Sequence, residues 1–68
     1  MESDDELLRT REVALLLGVP ANTLRWWRYI GEGPEWFRLG PRVVVYRASK
    51  VAAWLAEREA EGARPQTA

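Results

Sequence analysis

Residues 23–34, TLRWWRYIGEGP, set two adjacent tryptophans among arginines and then break into glycine and proline. Neighbours on an α-helix project about 100° apart, so Trp26 and Trp27 cannot both lie at the centre of one buried stripe. Measured from Leu24, Trp27, Thr23 and Ile30 fall at about 300°, 260° and 240° and form one apolar stripe. Arg25, Tyr29 and Asn22, at about 100°, 140° and 160°, make the opposite face. Trp26, at about 200°, sits on the rim beside Ile30. The wheel assigns Trp27 to the core and leaves Trp26 on its rim, where it can cap the core's edge or meet a partner molecule.

Working outward, this helix restarts after a tight turn, with Pro20 in its first turn, where the missing N–H is not needed. The preceding TREVALLLG reads as another short helix, with Thr10 as cap, Glu12 favoured by the helix dipole and Gly18 as the stop. Val13, Leu16 and Leu17 share its inward face, while Leu15 points elsewhere. After GEGP, the stretch EWFRLGPRVVVYR predicts a β-hairpin turning at Gly40-Pro41. Alternation puts Phe37 and Leu39 on one face, with Trp36 and Arg38 on the other. In the second arm it turns Val44 and Tyr46 inward and Val43 and Val45 outward. ASKVAAWLAEREA is a third helix, with Val51, Trp54, Leu55 and Arg58 at helical spacing. Residues 1–6 read as a mobile acidic tail, 7–61 as the domain and 62–68 as a flexible end.

The chain has 68 residues, no cysteine and no histidine. A domain of this size buries only about 60% of its unfolded surface, and here neither a disulfide nor a Cys/His zinc site helps. Large Trp, Leu and Val side chains must therefore carry the core. No apolar run approaches a membrane span and MESDDE is unlike a signal peptide, so a bacterial cytoplasm, with nucleoid association, is expected. No cofactor, metal, membrane or small-molecule ligand is expected either. Without His, Cys, a glycine-rich phosphate loop or a paired-carboxylate cleft, an enzyme is not expected.

Formal charge is zero, but its distribution is uneven. Residues 20–50 carry six cations against two acids, a net of +4, between acidic ends of −3 and −1. Such a middle is either ordinary solvated surface or an electrostatic footprint for a polyanion. Two short helices around a glycine-containing turn favour the latter: this is the helix-turn-helix pattern, whose second helix enters the DNA major groove, and the hairpin is its wing.

Residues 7–55 resemble the small excisionase and AlpA-like regulators, relatives of the MerR amino-terminal domain. REVALLLGV, TLRWWR, GEGP, FRLG and YRASKVAAWL carry the likeness, in the family's order. The resemblance implies a winged helix-turn-helix, mainly α with a small β-hairpin, that binds double-stranded DNA. It implies the stand-alone excisionase type, whose copies line up, bend attachment-site DNA and direct a partner integrase toward excision. A small transcriptional regulator on promoter DNA is the alternative, and a protein-interaction module that binds no DNA is a third reading. Relatives usually carry Ser or Thr where Pro20 stands, so a side-chain cap of about 1 kcal/mol is missing here. They often carry Arg at positions 43 and 45, where this chain has Val.

Expected DNA contacts on the second helix are Asn22, Thr23, Arg25, Trp26 and Arg28. Asn22 has the donor and acceptor to bond adenine bidentately, or it settles the helix's first turn; Arg28 makes either a backbone contact or an ion pair. On the wing and its flanks, Arg38, Arg42, Arg47 and Lys50 are expected at phosphates. With about four to six phosphates neutralised, the log–log salt slope would be roughly −4 to −5. Leu15, Trp26, Trp36, Val43 and Val45 are apolar and outward on this reading, the makings of a protein contact surface.

Overall fold

In the computed structural model, residues 5–62 are described. They form β1 (Leu7–Arg9), α1 (Thr10–Leu17), α2 (Ala21–Ile30), β2 (Phe37–Gly40), β3 (Val43–Arg47) and α3 (Ala48–Gly62). The strands make one antiparallel sheet in the order β1-β3-β2. The hairpin expected from sequence is present, turning at Pro41 and Arg42 rather than at Gly40-Pro41. The third strand is new. Leu7, Leu8 and Arg9 pair with Arg47, Tyr46 and Val45, which places β3 at the centre of the sheet. Three residues are too few for alternation to announce a strand, so only its long-range partner reveals it.

That third strand corrects the burial expected for Val45. Val45 does face away from the helices, yet it is 2% exposed. Arg9 stands opposite it on β1 and Phe37 opposite it on β2, so neighbours flank it on both sides. Arg47 adds cover, its guanidinium 5.7 Å from the Phe37 ring. Val43, also expected outside, is half-buried. The register shifts between Arg38 and Gly40, leaving Leu39 as an exposed bulge residue near the wing's tip.

The core lies between the sheet's inner face and the helices. Val13, Ala14, Leu24, Tyr46 and Val51 form it, with Leu8, Leu17, Trp27, Trp36 and Val44 packed around them. Trp36 is thus half-buried, not an outward residue. On α1, Ala14 takes the buried place expected of Leu16, which is 62% exposed. Leu15 is more open still, as its position predicts. Ile30 and Leu55, both assigned to apolar stripes, remain exposed because nothing lies over the ends of those stripes among the described residues.

Gly18 and Gly31 close α1 and α2 with φ of 73° and 78°, in the left-handed region. Gly33 is more constrained. Its φ is +84°, and a Cβ there would lie 2.8 Å from Cε3 of Trp27. GEGP therefore both stops α2 and lets the chain pass over the Trp27 ring. That ring also meets Trp54 of α3, centroids 5.5 Å apart. Arg9, not Thr10, precedes the first turn of α1, and its backbone N–H donates to Glu12 Oε1 at 2.7 Å.

Residues 1–4 and 63–68 lie outside the described residues, and with them most of the two expected tails. Asp5 and Glu6, assigned to the acidic tail by sequence, are held in place. Asp5 accepts from the backbone N–H and the hydroxyl of Ser49, at 2.8 and 2.9 Å, and the Glu6 carbonyl accepts from Ala48 N–H. Together these tie the start of the chain to the first turn of α3. None of the helices is long and apolar enough to cross a membrane, among the described residues.

Candidate nucleic-acid interface

Helix α2 decides the site because its faces have different tasks. Leu24 is fully buried and Trp27 packs against the core, which turns the opposite face to solvent. On that face Arg25 Nη1 donates to Asn22 Oδ1 at 2.8 Å, one turn back along the helix. The bond holds Arg25 upright and leaves the Asn22 amide NH2 free to donate. Trp26 and Tyr29, 56% and 82% exposed, lie beside them with ring centroids 5.7 Å apart. Thr23 is half-buried at the edge of the core stripe.

Arg28 behaves differently. Its Nη1 donates to Tyr46 Oη at 2.8 Å and to Thr10 Oγ1 at 3.2 Å, and its guanidinium lies 5.7 Å from the Trp36 ring. One side chain thus links α2 to β3, α1 and the approach to β2. It gives the buried Tyr46 hydroxyl its partner, a strong reason for a half-buried arginine to stay there. Thr10, expected as a helix cap, serves as an acceptor in the same cluster.

Between the start of α1, α2 and the wing turn lies an open cleft of about 600 Å³. Five arginines converge on it: Arg9, Arg11, Arg25, Arg28 and Arg42, against the single acid Glu12. The cleft is net +4, and its concave shape brings the cations to bear on one place. Arg25, Arg28 and Arg42 were expected from the sequence. Arg9 and Arg11 were not, since they stand in a stretch whose average charge is acidic. The usable signal was the helix start RTRE, where Arg9 and Arg11 flank Thr10.

The remaining wing cations do not join the cleft. Arg47 pairs with the half-buried Asp5 at 3.7 Å, and Lys50 with Glu35 at 3.5 Å between two exposed side chains. Arg38 lies 5.6 Å from the Trp36 ring. The Asp5 carboxyl is held below its ordinary pKa: the Ser49 backbone N–H, then its hydroxyl and the nearby Arg47 and Lys50 charges, lower it against the opposing effect of burial. No group of His, Cys, Asp or Glu suited to a metal occurs among the described residues.

A second concavity, of about 420 Å³, opens on the other side of α2. It is apolar, with Leu17, Trp27, Ile30, Trp54 and Leu55 along it and Glu32 and Arg58 at its rim.

Two helices at a tight glycine turn, an exposed second helix and a flanking antiparallel wing define a winged helix-turn-helix protein, a class built to bind double-stranded DNA. A family model for the helix-turn-helix domain matches residues 7–59, most of the chain. The protein belongs to that helix-turn-helix domain family, the one of AlpA and excisionase type. No curated protein and no solved structure matches the chain.

Proposed function

We propose that this protein is an excisionase, a DNA-architectural factor that lines up in several copies on attachment-site DNA, bends it and biases a partner integrase toward excision. The observation that carries this reading is the contrast across α2: an arginine cleft and an exposed polar strip on one side, an apolar groove on the other. The first surface suits DNA. The second suits a neighbouring copy on the same DNA, and Leu15 and Leu16 are further exposed apolar side chains available for such a contact.

Energetics favour assembly. One module of this kind buries about 600–1,000 Å² on DNA, and much of its binding energy is sequence-independent phosphate contact. Bending a site costs of order 1–6 kcal/mol, which contacts between adjacent copies can offset. In this reading Arg9, Arg11, Arg25 and Arg42 hold phosphates or base edges, Asn22 positions Arg25, and Arg28 keeps helix and wing in register.

The test is a reconstituted recombination reaction with the integrase and attachment sites of the same genetic element, alongside footprinting at two protein concentrations. The chain should stimulate excision, inhibit integration and extend its footprint as its concentration rises. A footprint confined to a promoter, with recombination unchanged, would make it a transcriptional regulator instead. Absence of salt-sensitive DNA binding would remove both readings.

A further inference from the structure

Resting on the DNA-binding reading, we infer that Trp26 and Tyr29 form a thymine-reading pair, two adjacent aromatic rings that meet 5-methyl groups in the major groove. Neither ring belongs to the buried core. Leu24 and Trp27 already anchor α2, while Trp26 and Tyr29 stay 56% and 82% exposed. A large apolar pair left in water on a domain this small marks a contact surface.

The position of the pair names the contact. With Asn22 and Arg25 it occupies one arc of about 100° on α2, opposite the buried stripe. Asn22 and Arg25, bonded at 2.8 Å, are the polar half of the strip and match the donors and acceptors of base edges. The aromatic half needs an apolar counterpart on the same DNA surface. The major groove has one such group on its base edges, the thymine methyl. Net charge agrees, because the adjoining cleft is +4 and would repel a cationic protein partner while drawing in DNA.

The pair is also built in advance. Its centroids stand 5.7 Å apart with the planes tilted by 31°, so each ring restrains the other before DNA arrives. Part of the rotamer freedom that binding would cost is then already given up. Residues three apart on a helix are separated by about 4.5 Å along its axis, close to the rise of one to two base pairs. The rings therefore fall over neighbouring steps, and the preferred site holds one or two consecutive thymines beside the position read by Arg25.

Replacing thymine by deoxyuridine removes the methyl and leaves base pairing intact. The bound sequence is first selected from random duplexes with the full chain. Affinities are then measured for the thymine duplex and its deoxyuridine versions, using wild type and the exposed-site variants Trp26→Ala and Tyr29→Ala, with circular dichroism melts as the folding control. Wild type should lose about 3- to 5-fold per critical methyl, the value of one buried methylene-sized group. The variants should bind the thymine duplex more weakly and no longer distinguish it from deoxyuridine. Equal wild-type affinity for both duplexes would overturn the inference while leaving DNA binding intact. In that case, variants that lose only the concentration dependence of footprinting would assign the pair to a contact between proteins. Failure of every duplex to bind in a salt-sensitive way would instead overturn the DNA-binding reading on which the pair rests.

Discussion

The two hollows on either side of α2 are similar in scale, about 600 and 420 Å³, and opposite in chemistry. One is ringed by guanidinium groups and the other by tryptophan and aliphatic side chains. Both are built from the same ten-residue helix, Ala21–Ile30, and they differ because neighbouring residues project about 100° apart. Arg25 and Trp27 are only two positions apart in sequence, yet they serve different surfaces. A small domain can thus present a polyanion site and an apolar contact face without a second module.

The largest expected effect removes what both hollows stand on. Leu24→Ala should destabilise the fold by about 2–5 kcal/mol, since the side chain is fully buried. A denaturant midpoint close to wild type would break the assignment of α2's faces, and with it the contrast between the hollows. Gly33→Ala should come next, at roughly 1–3 kcal/mol, because the new methyl meets the Trp27 ring and the backbone sits at positive φ. Its effect on melting should far exceed its effect on DNA affinity at temperatures where the domain is folded.

Surface changes should separate the hollows cleanly. Arg11→Ala or Arg42→Ala should leave the melting temperature nearly unchanged while reducing the magnitude of the log–log salt slope by about one. An unchanged slope, measured by DNA titration at several salt concentrations, would take that arginine out of the interface. Leu55→Gln, on the apolar side, should leave single-site affinity and salt slope alone and weaken only cooperative footprinting. Loss of single-site affinity in Leu55→Gln would show that the two hollows do not act separately.

The smallest effect concerns pH. The Asp5 carboxyl is held below its ordinary value of 3.8, chiefly by the Ser49 N–H. A lowered folded pKa contributes stability that is fully present above the unfolded value and is lost as pH falls through the folded one. Wild type should therefore lose a little more stability on acidification below about pH 4 than Asp5→Asn does. Melting curves that shift equally with pH in the two proteins would detach Asp5 from the anchoring of α3.

Much of this was legible in the chain itself. The helix period of TLRWWRYI separates Leu24 and Trp27 from Arg25 and Trp26, and the GEGP break marks the helix end. Those are local properties, set by dihedral preference and spacing within a few residues. The stripe overreached at its ends, where Ile30 and Leu55 look apolar but have no covering element. Likewise Arg28 gave no sign of its role, because its partners Thr10 and Tyr46 each lie 18 residues away.

The sequence by itself determined the helices, their glycine stops, the hairpin and which tryptophan of the pair turns inward. Only the tertiary structure decided that residues 7–9 complete the sheet and bury Val45, and that Arg9 and Arg11 join the basic cleft beside Arg42. It also decided that Arg28 ties α2 to Thr10 and Tyr46. The physical reason is common to all three. Periodicity records which way a side chain points from its own element, whereas burial and charge clustering depend on what distant chain arrives in front of it.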